Sequence, residues 1–515
     1  MGKRNAAGVV IAAVLVLLLW GGAWRTPGSG PPPPPAVPAS GSFDPLLDVD
    51  WLGADCWFEE SWIDRLSFAR SSCGWLYPST RDSLGQRAAL PVVILHQQRF
   101  RRPTSRATVY VMGGPGGSSW LSSEGIVGWT DWSHRLGLDH DLVLYDQRGT
   151  GYSQPPLECP ELESLGWDQL DSDADRDALW AEYERVIKGC AEQIPSADRA
   201  AGLYSTATNA RDLRELIASL KRDLGYQQIS VYGVSYGTRL AMTALADAAV
   251  SVDAVVLDSL YPPGLDLVAP FADHFAAVID AAGRHCIEQQ RCAGSMQLRE
   301  LLDRVLRRLG DHPQRFTVNA AWLQKPVTLR IDDAVMITLV EHAMYAAWDL
   351  ADLHDMLSGS AEGNLEPWRE VIEEWLWVSM DPDFDMLTLH AVECRDNPPL
   401  DPAVEAAALA RQPSWASALR SPKRSFVLCE QLGVSPRPLT AAQFDIPVLA
   451  LAAEFDPRTP VQPGVAALES YPHVQWLRLP ITGHGLVDVD ECAAQSTGQF
   501  LNRGGAHRVE RCGAR

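Results

Sequence analysis

The chain has 515 residues, of which 46% are hydrophobic and 21% charged, a globular composition with ample apolar material for a large core. Its formal net charge of −21 leaves no basic face to neutralise phosphates, which argues against nucleic acid as a partner. The length suits several domains, or one large α/β domain carrying an insertion. At the N-terminus, Lys3 and Arg4 precede an uncharged, mostly apolar run over 6–24. This is the basic n-region and apolar h-region of a secretory signal, with Gly21-Gly22-Ala23 offering a cleavage point. The run is also long enough to cross a bilayer, so a retained anchor that tethers the chain to a membrane stays open. Residues 1–24 are therefore expected to be a signal peptide or membrane anchor. Residues 25–42, with five consecutive prolines, are expected to be a stiff linker. Either way the body is expected to be exported: secreted, periplasmic or anchored on the outer side of the cytoplasmic membrane.

Ten cysteines fit that placement, because an export signal with an even count implies disulfides. They fall as local couples: Cys56 and Cys73, Cys159 and Cys190, Cys286 and Cys292, Cys394 and Cys429, Cys492 and Cys512. Neighbour pairing is the expectation, although sequence does not fix connectivity. There is no Cys-x-x-Cys and no His-Glu-x-x-His, so no metal site is expected.

From residue 90 onward, strand patterns alternate with helical ones. Stretches 92–95, 108–112 and 141–145 are rich in β-branched and aliphatic residues and predict strands. An insertion over 154–204 follows. Residues 209–224 then predict an amphipathic helix, with Leu213, Leu216, Ile217 and Leu220 at helical spacing. A strand over 229–232, a helix over 239–248 and a strand over 254–257 continue the series. This alternation predicts a mostly parallel sheet with helices on both faces. Tyr261-Pro262-Pro263-Gly264 ends it, and strand character returns only at 446–451 and 474–479. The stretch between is mostly helical in pattern. Residues 43–261 and 441–515 are thus expected to be two parts of one α/β core, and 262–440 a large helical cap inserted between core strands.

Gly233-Val234-Ser235-Tyr236-Gly237 joins the strand over 229–232 to the helix that follows. Strand, Gly-x-Ser-x-Gly, helix is the nucleophile elbow of the α/β-hydrolase fold. The turn is so tight that a side chain at 233 or 237 would strike a neighbouring element. Acyl transfer from serine needs a base, an acid to orient it, and donors for the oxyanion. In this fold the chain order is Ser, Asp or Glu, then His. Asp456 follows the strand over 446–451, and His484 follows the strand over 474–479, where ligands meet open α/β sheets. These are the expected acid and base, with Asp258 and Glu454 as alternative acids. The backbone N–H of Tyr236 and that of Gly114, in Gly113-Gly114-Pro115-Gly116-Gly117, are the expected oxyanion donors, with Gly113 the alternative to Gly114. Such chemistry requires no cofactor.

Four ordered blocks extend this pattern: Gly113-Gly114-Pro115-Gly116-Gly117-Ser118; Asp146-Gln147-Arg148-Gly149-Thr150-Gly151-Tyr152-Ser153; Gly233-Val234-Ser235-Tyr236-Gly237-Thr238; and Asp456-x-x-Thr459-Pro460 with Gly483-His484-Gly485. Through them the chain resembles the prolyl aminopeptidase and tripeptidyl aminopeptidase family of serine exopeptidases, over roughly residues 90–490. The resemblance implies an α/β-hydrolase fold and the catalytic set Ser235, Asp456 and His484. It makes the block at 146–153 a loop beside the site, with Asp146 and Arg148 as supports. Met112, where the small cytoplasmic prolyl enzymes carry His, the long cap and the export signal are similar to the tripeptidyl branch. So is the segment Ala391-Val392-Glu393-Cys394-Arg395-Asp396. An exopeptidase must read a free amino terminus, and a buried carboxylate does this by a charge-assisted hydrogen bond. Glu393 and Asp396 are the candidates; the alternative is a purely structural segment held through Cys394. The implied activity is hydrolysis of peptide bonds near a free N-terminus through an acyl-enzyme, with such peptides as substrates. The alternative is an esterase or amidase acting on small molecules, since fold and triad do not determine substrate.

Overall fold

The computed structural model describes residues 51–58, 70–97, 104–157, 159–247, 250–292, 297–319, 325–381, 383–397, 401–419, 429, 432–440, 443–509 and 512. The N-terminal run and the proline linker lie outside the described residues. Strands are β1 (Trp51–Ala54), β2 (Arg70–Leu76), β3 (Leu90–His96), β4 (Arg106–Val111), β5 (Asp141–Tyr145), β6 (Gln228–Val234), β7 (Ala254–Asp258), β8 (Gln314–Val318), β9 (Val327–Ile331), β10 (Val448–Ala453) and β11 (Val474–Leu479). Nine of them form one sheet in the order β1-β2-β3-β5-β4-β6-β7-β10-β11. From β5 to β11 all neighbours are parallel; β1, β2 and β3 add an antiparallel flank.

The parallel strands are covered on both faces, which is why β5, β7 and β10 are buried along their whole length and apolar except for Asp141 at the start of β5 and Asp258 at the end of β7. Alternate residues divide between two cores. Val109 and Val231 face Leu213 and Leu216 of the helix Thr206–Arg222 and Leu240 of the helix Tyr236–Leu245. Tyr110 and Tyr232 face the other side, against Trp129 and Trp132 of the helix Ser123–Leu136 and near Phe500 of the helix Glu491–Asn502.

β7 and β10 are hydrogen-bonded neighbours, yet the chain between them runs from Asp258 to Val448. Most of this segment is helical and builds a core of its own, centred on Phe275, Leu302, Val340, Trp368 and Trp415. The β8–β9 hairpin lies within it, and its alternating burial marks strands covered on one face. The helix Met386–Asp396 instead packs Leu387 and Ala391 against Tyr183 and Ile187 of the helix Arg176–Ala191. Five disulfides join neighbouring cysteines: 56–73, 159–190, 286–292, 394–429 and 492–512. No described helix is long and apolar enough to cross a membrane.

His342, on the helix Asp333–Tyr345, is 7% exposed, with Nε2 3.8 Å from a Glu374 oxygen. Burial, and then the Arg458 charge, push its pKa down to about 4. An unfolded chain therefore takes up this proton first, near the ordinary value of about 6.5. The associated stability is present above that pH and is lost as pH falls towards 4. At about 1.4 kcal/mol per pH unit, the loss is on the order of 3 kcal/mol. Urea unfolding at pH 7 and pH 4.5 should show a smaller acid loss for His342→Gln than for the unsubstituted chain.

Candidate active site

β6 ends at Val234 and the next helix begins at Tyr236, so Ser235 alone makes the turn, at φ 55° and ψ −125°. A positive φ is costly for a residue with a side chain. The surroundings impose it: the Ser235 N–H donates to the Asp258 carbonyl at 2.9 Å, and the Thr238 hydroxyl donates to the Ser235 carbonyl at 2.6 Å. The flanking glycines permit the turn by close approach. A Cβ on Gly237 would lie 2.1 Å from the Val111 carbonyl oxygen, and one on Gly233 would lie 2.5 Å from the Gly237 carbonyl oxygen. Ser235 remains partly exposed on this turn.

Past the ends of β10 and β11, His484 Nδ1 meets Asp456 Oδ2 at 2.8 Å, with the two side chains 4% and 1% exposed. Asp456 also accepts from the Thr459 hydroxyl at 2.7 Å and from the N–H groups of Arg458 and Thr459. Burial pushes its carboxyl up, but His484 and the Thr459 hydrogen bonds outweigh burial and hold it below the usual range. An ionised acceptor at Nδ1 keeps the proton there and leaves Nε2 as the basic nitrogen. The base loop reaches the elbow at Gly485, where a Cβ would stand 3.6 Å from Val234 Cγ2.

The alternative acids are committed elsewhere. Asp258 accepts from the N–H groups of Leu486 at 2.7 Å and Val487 at 3.0 Å and from the Tyr232 hydroxyl at 2.7 Å. It therefore pins the chain just after His484. Glu454 pairs with Arg478 at 3.0 Å.

The glycine loop after β4 lies against the elbow: a Cβ on Gly113 would sit 3.0 Å from Ser235 Cβ and 3.7 Å from its Oγ. Tyr236 opens the helix, so its N–H is among the first-turn donors that no intrahelical carbonyl takes. The block at 146–153 holds the glycine loop in place. Asp146 accepts from the N–H of Ser119 at 2.7 Å and of Tyr152 at 2.8 Å, and Gln147 Nε2 donates to the Met112 carbonyl at 2.9 Å. Arg148 forms a two-pronged pair with Asp212 at 2.5 and 3.0 Å, the side chains 3% and 1% exposed.

Residues of the segment between β7 and β10 complete the surroundings: Phe384 and Asp385, for which the sequence had no local signal, and the two candidates Glu393 and Asp396. The Asp385 N–H donates to the Gly116 carbonyl at 2.9 Å, and Phe384 bridges to Gly117. Glu393 is largely but not wholly buried, hydrogen-bonded to Asn397 and Tyr261 and facing the Arg239 charge. Burial raises its pKa more than these neighbours lower it. Asp396 is 2% exposed, and its carboxylate accepts from the Thr206 N–H at 2.9 Å. Burial pushes its pKa up to about 6, against the opposing Thr206 bonds.

A serine, a histidine and an aspartate also stand in hydrogen-bonding order elsewhere in the fold. Ser72 Oγ lies 2.8 Å from His96 Nε2, and His96 Nδ1 lies 2.8 Å from Asp141 Oδ2. Here the serine sits inside β2, paired across to Ile94, and Asp141 also accepts from the Tyr226 hydroxyl at 2.6 Å. Asp141 begins β5, so this group stands at the end of the sheet opposite Ser235.

A mostly parallel sheet, an elbow serine and a buried His–Asp pair beyond the strand ends define an α/β hydrolase. Residues 109–491 match the alpha/beta hydrolase fold family, and the chain belongs to it. It is 26% identical to the tripeptidyl aminopeptidase of Streptomyces lividans over 192 residues, which is 36% of this chain and 34% of that protein. The chain thus matches about a third of the length of that relative. Among solved structures, it is similar to the proline iminopeptidase of Mycobacterium smegmatis, with 14% identity, 81% of this chain and 96% of that chain covered, and TM-score 0.33. It is similar to an esterase from Thermogutta terrifontis as well, with 13% identity, 84% and 99% covered, and TM-score 0.34.

Proposed function

We propose that the chain is an exported serine aminopeptidase that hydrolyses peptide bonds near a free N-terminus. The observation that carries the hydrolytic part is the buried His484–Asp456 pair, on a loop whose Gly485 approaches Val234 at the strained Ser235 elbow. Ser235 Oγ attacks the scissile carbonyl carbon while its proton passes to His484 Nε2. The carbonyl oxygen becomes an oxyanion, taken by the N–H groups of Tyr236 and Gly114. The C–N bond breaks as His484 returns the proton to the leaving amine, giving an acyl-enzyme. Water then attacks the acyl carbon as His484 takes its proton, and His484 passes that proton to Ser235 Oγ as the ester bond breaks and the acid is released. Asp456 stays ionised throughout and stabilises the imidazolium. The aminopeptidase part draws on the family motifs and the tripeptidyl aminopeptidase relative. The five disulfides fit an oxidising compartment outside the cytoplasm.

Of the two carboxylates offered for the substrate amine, Glu393 suits the task better, because Asp396 is fully buried and engaged with Thr206. Glu393→Gln should raise KM for free-amine peptides about 10- to 100-fold and leave amine-blocked substrates unaffected. Asp396→Asn keeps an acceptor for the Thr206 N–H, and its KM should stay close to that of the unsubstituted enzyme. The reading itself is tested with peptide p-nitroanilides bearing free or blocked amino termini, alongside p-nitrophenyl esters. Faster cleavage of the free-amine peptides is expected. Equal cleavage of free and blocked peptides would sink the exopeptidase assignment, and turnover of esters alone would favour a small-molecule esterase.

A further inference from the structure

The loop that carries His484 is gripped from two directions. From the sheet, Asp258 takes the N–H groups of Leu486 and Val487, and the Ser259 hydroxyl accepts the Gly485 N–H at 2.8 Å. From the inserted helices, the Tyr345 carbonyl accepts the His484 N–H at 2.9 Å, and the Trp348 carbonyl accepts the Thr482 hydroxyl at 2.6 Å. The Tyr345 ring lies over the imidazole, with centroids 4.7 Å apart and planes 21° from parallel. The same helix reaches the acid loop as well. Glu341, 8% exposed, pairs with Arg458 at 3.2 Å, and the Arg458 N–H donates to Asp456.

We propose that Tyr345, supplied by the segment inserted between β7 and β10, is a positioning residue for His484 whose ring face also favours the imidazolium formed during reaction. The proposal rests on Ser235 and His484 acting as a serine hydrolase. Asp456 fixes one edge of the imidazole, and the Tyr345 ring fixes one face. Together they leave Nε2 as the one basic nitrogen, with the ring held against rotation. The π-face of a phenol is electron-rich and attracts a cation placed within about 6 Å. Its partner is more positive in the transition state than in the ground state, so the contact favours turnover more than binding. The inserted helices thus do more than cover the site: they supply one wall of its base.

The titratable and charged groups around the pair are Asp456, Asp258 and Asp488, which act on His484, Arg458, which with Asp456 and Asp488 acts on Tyr345, and His342, whose ring stacks on Tyr345 with centroids 6.4 Å apart. All five remain when Tyr345 alone is changed. Tyr345→Leu keeps bulk and removes the aromatic face. Its kcat, counted per site labelled by a fluorophosphonate, should fall roughly 3- to 30-fold with KM within about twofold. The acidic limb of its kcat/KM–pH profile should move to lower pH, because the imidazolium has lost a favourable neighbour. Tyr345→Phe, which restores the ring, should recover both values. An unchanged kcat per labelled site and an unmoved acidic limb in the Leu variant would overturn the proposal. So would a Phe variant as impaired as the Leu one. If the unsubstituted chain neither labels at Ser235 nor turns over any anilide or ester, the serine-hydrolase reading itself fails, and the proposal fails with it.

Discussion

Ser235→Ala should lower hydrolysis by about 10⁴-fold or more without unfolding the protein. Alanine removes the attacking oxygen and nothing that holds the elbow. The 2.9 Å bond from residue 235 to the Asp258 carbonyl is backbone, as is the carbonyl that accepts from Thr238. The smaller side chain still fits beside Gly113. A fluorophosphonate should label the unsubstituted chain at Ser235, and labelling should vanish in the alanine variant even though Ser72, His96 and Asp141 remain. Three residue types in hydrogen-bonding order are not sufficient. Ser72 lies within a strand, whereas Ser235 stands on a tight turn at a helix N-terminus beside the glycine loop proposed to supply N–H donors. Such donors are worth about 10²- to 10³-fold each. Asp456→Asn should fall nearly as far, because an amide donor facing Nδ1 favours the tautomer that protonates Nε2. An alanine variant that keeps more than about a hundredth of the activity would show that another nucleophile carries the reaction.

The parts of this site that were legible in the sequence are those whose cause is local. β7 and β10 are buried on both faces and so read as apolar runs, as does most of β6; the elbow glycines are required by contacts within the turn and with the adjacent strand. The positions of Asp456 and His484 were legible because each follows the end of a sheet strand, β10 and β11, and there the two side chains pair. β2 was not, since Ser71, Ser72 and Gly74 give an antiparallel flanking strand the composition of a loop. The β8–β9 hairpin was hidden within a helical stretch by its shortness. Tyr345, Phe384 and Asp385 have no sequence signature at all, because each meets its partner only through the return of the inserted segment onto the site. Asp396 shows the same limit from the other side. Its sequence context suggested a ligand-binding acid, but the carboxylate caps Thr206, 190 positions away in the chain.

Arg148→Met should destabilise the protein by about 3–5 kcal/mol, the largest stability loss expected of a single change near the site. Its guanidinium meets both oxygens of Asp212, and both side chains are almost completely out of water. Removing the cation leaves a carboxylate at 1% exposure without its hydrogen-bonded partner, and only the weaker Arg211 charge offsets its desolvation. Asp212→Leu should be comparably harmful, since it strands the guanidinium. The double variant Arg148→Met/Asp212→Leu removes both charges and should recover most of the loss, because the cost lies in the unpaired ion rather than in the missing pair. Urea unfolding of the four proteins at one pH measures this directly, and a double variant as unstable as the sum of the singles would refute it. Activity should not follow stability. The Arg148 guanidinium also reaches the Thr80 carbonyl at 3.4 Å and steadies the turn whose Asp146 fixes Ser119 at the end of the glycine loop. The repaired double variant should therefore fold well and still show a reduced kcat, separating the ion pair's role in stability from its role in holding the loop beside Ser235.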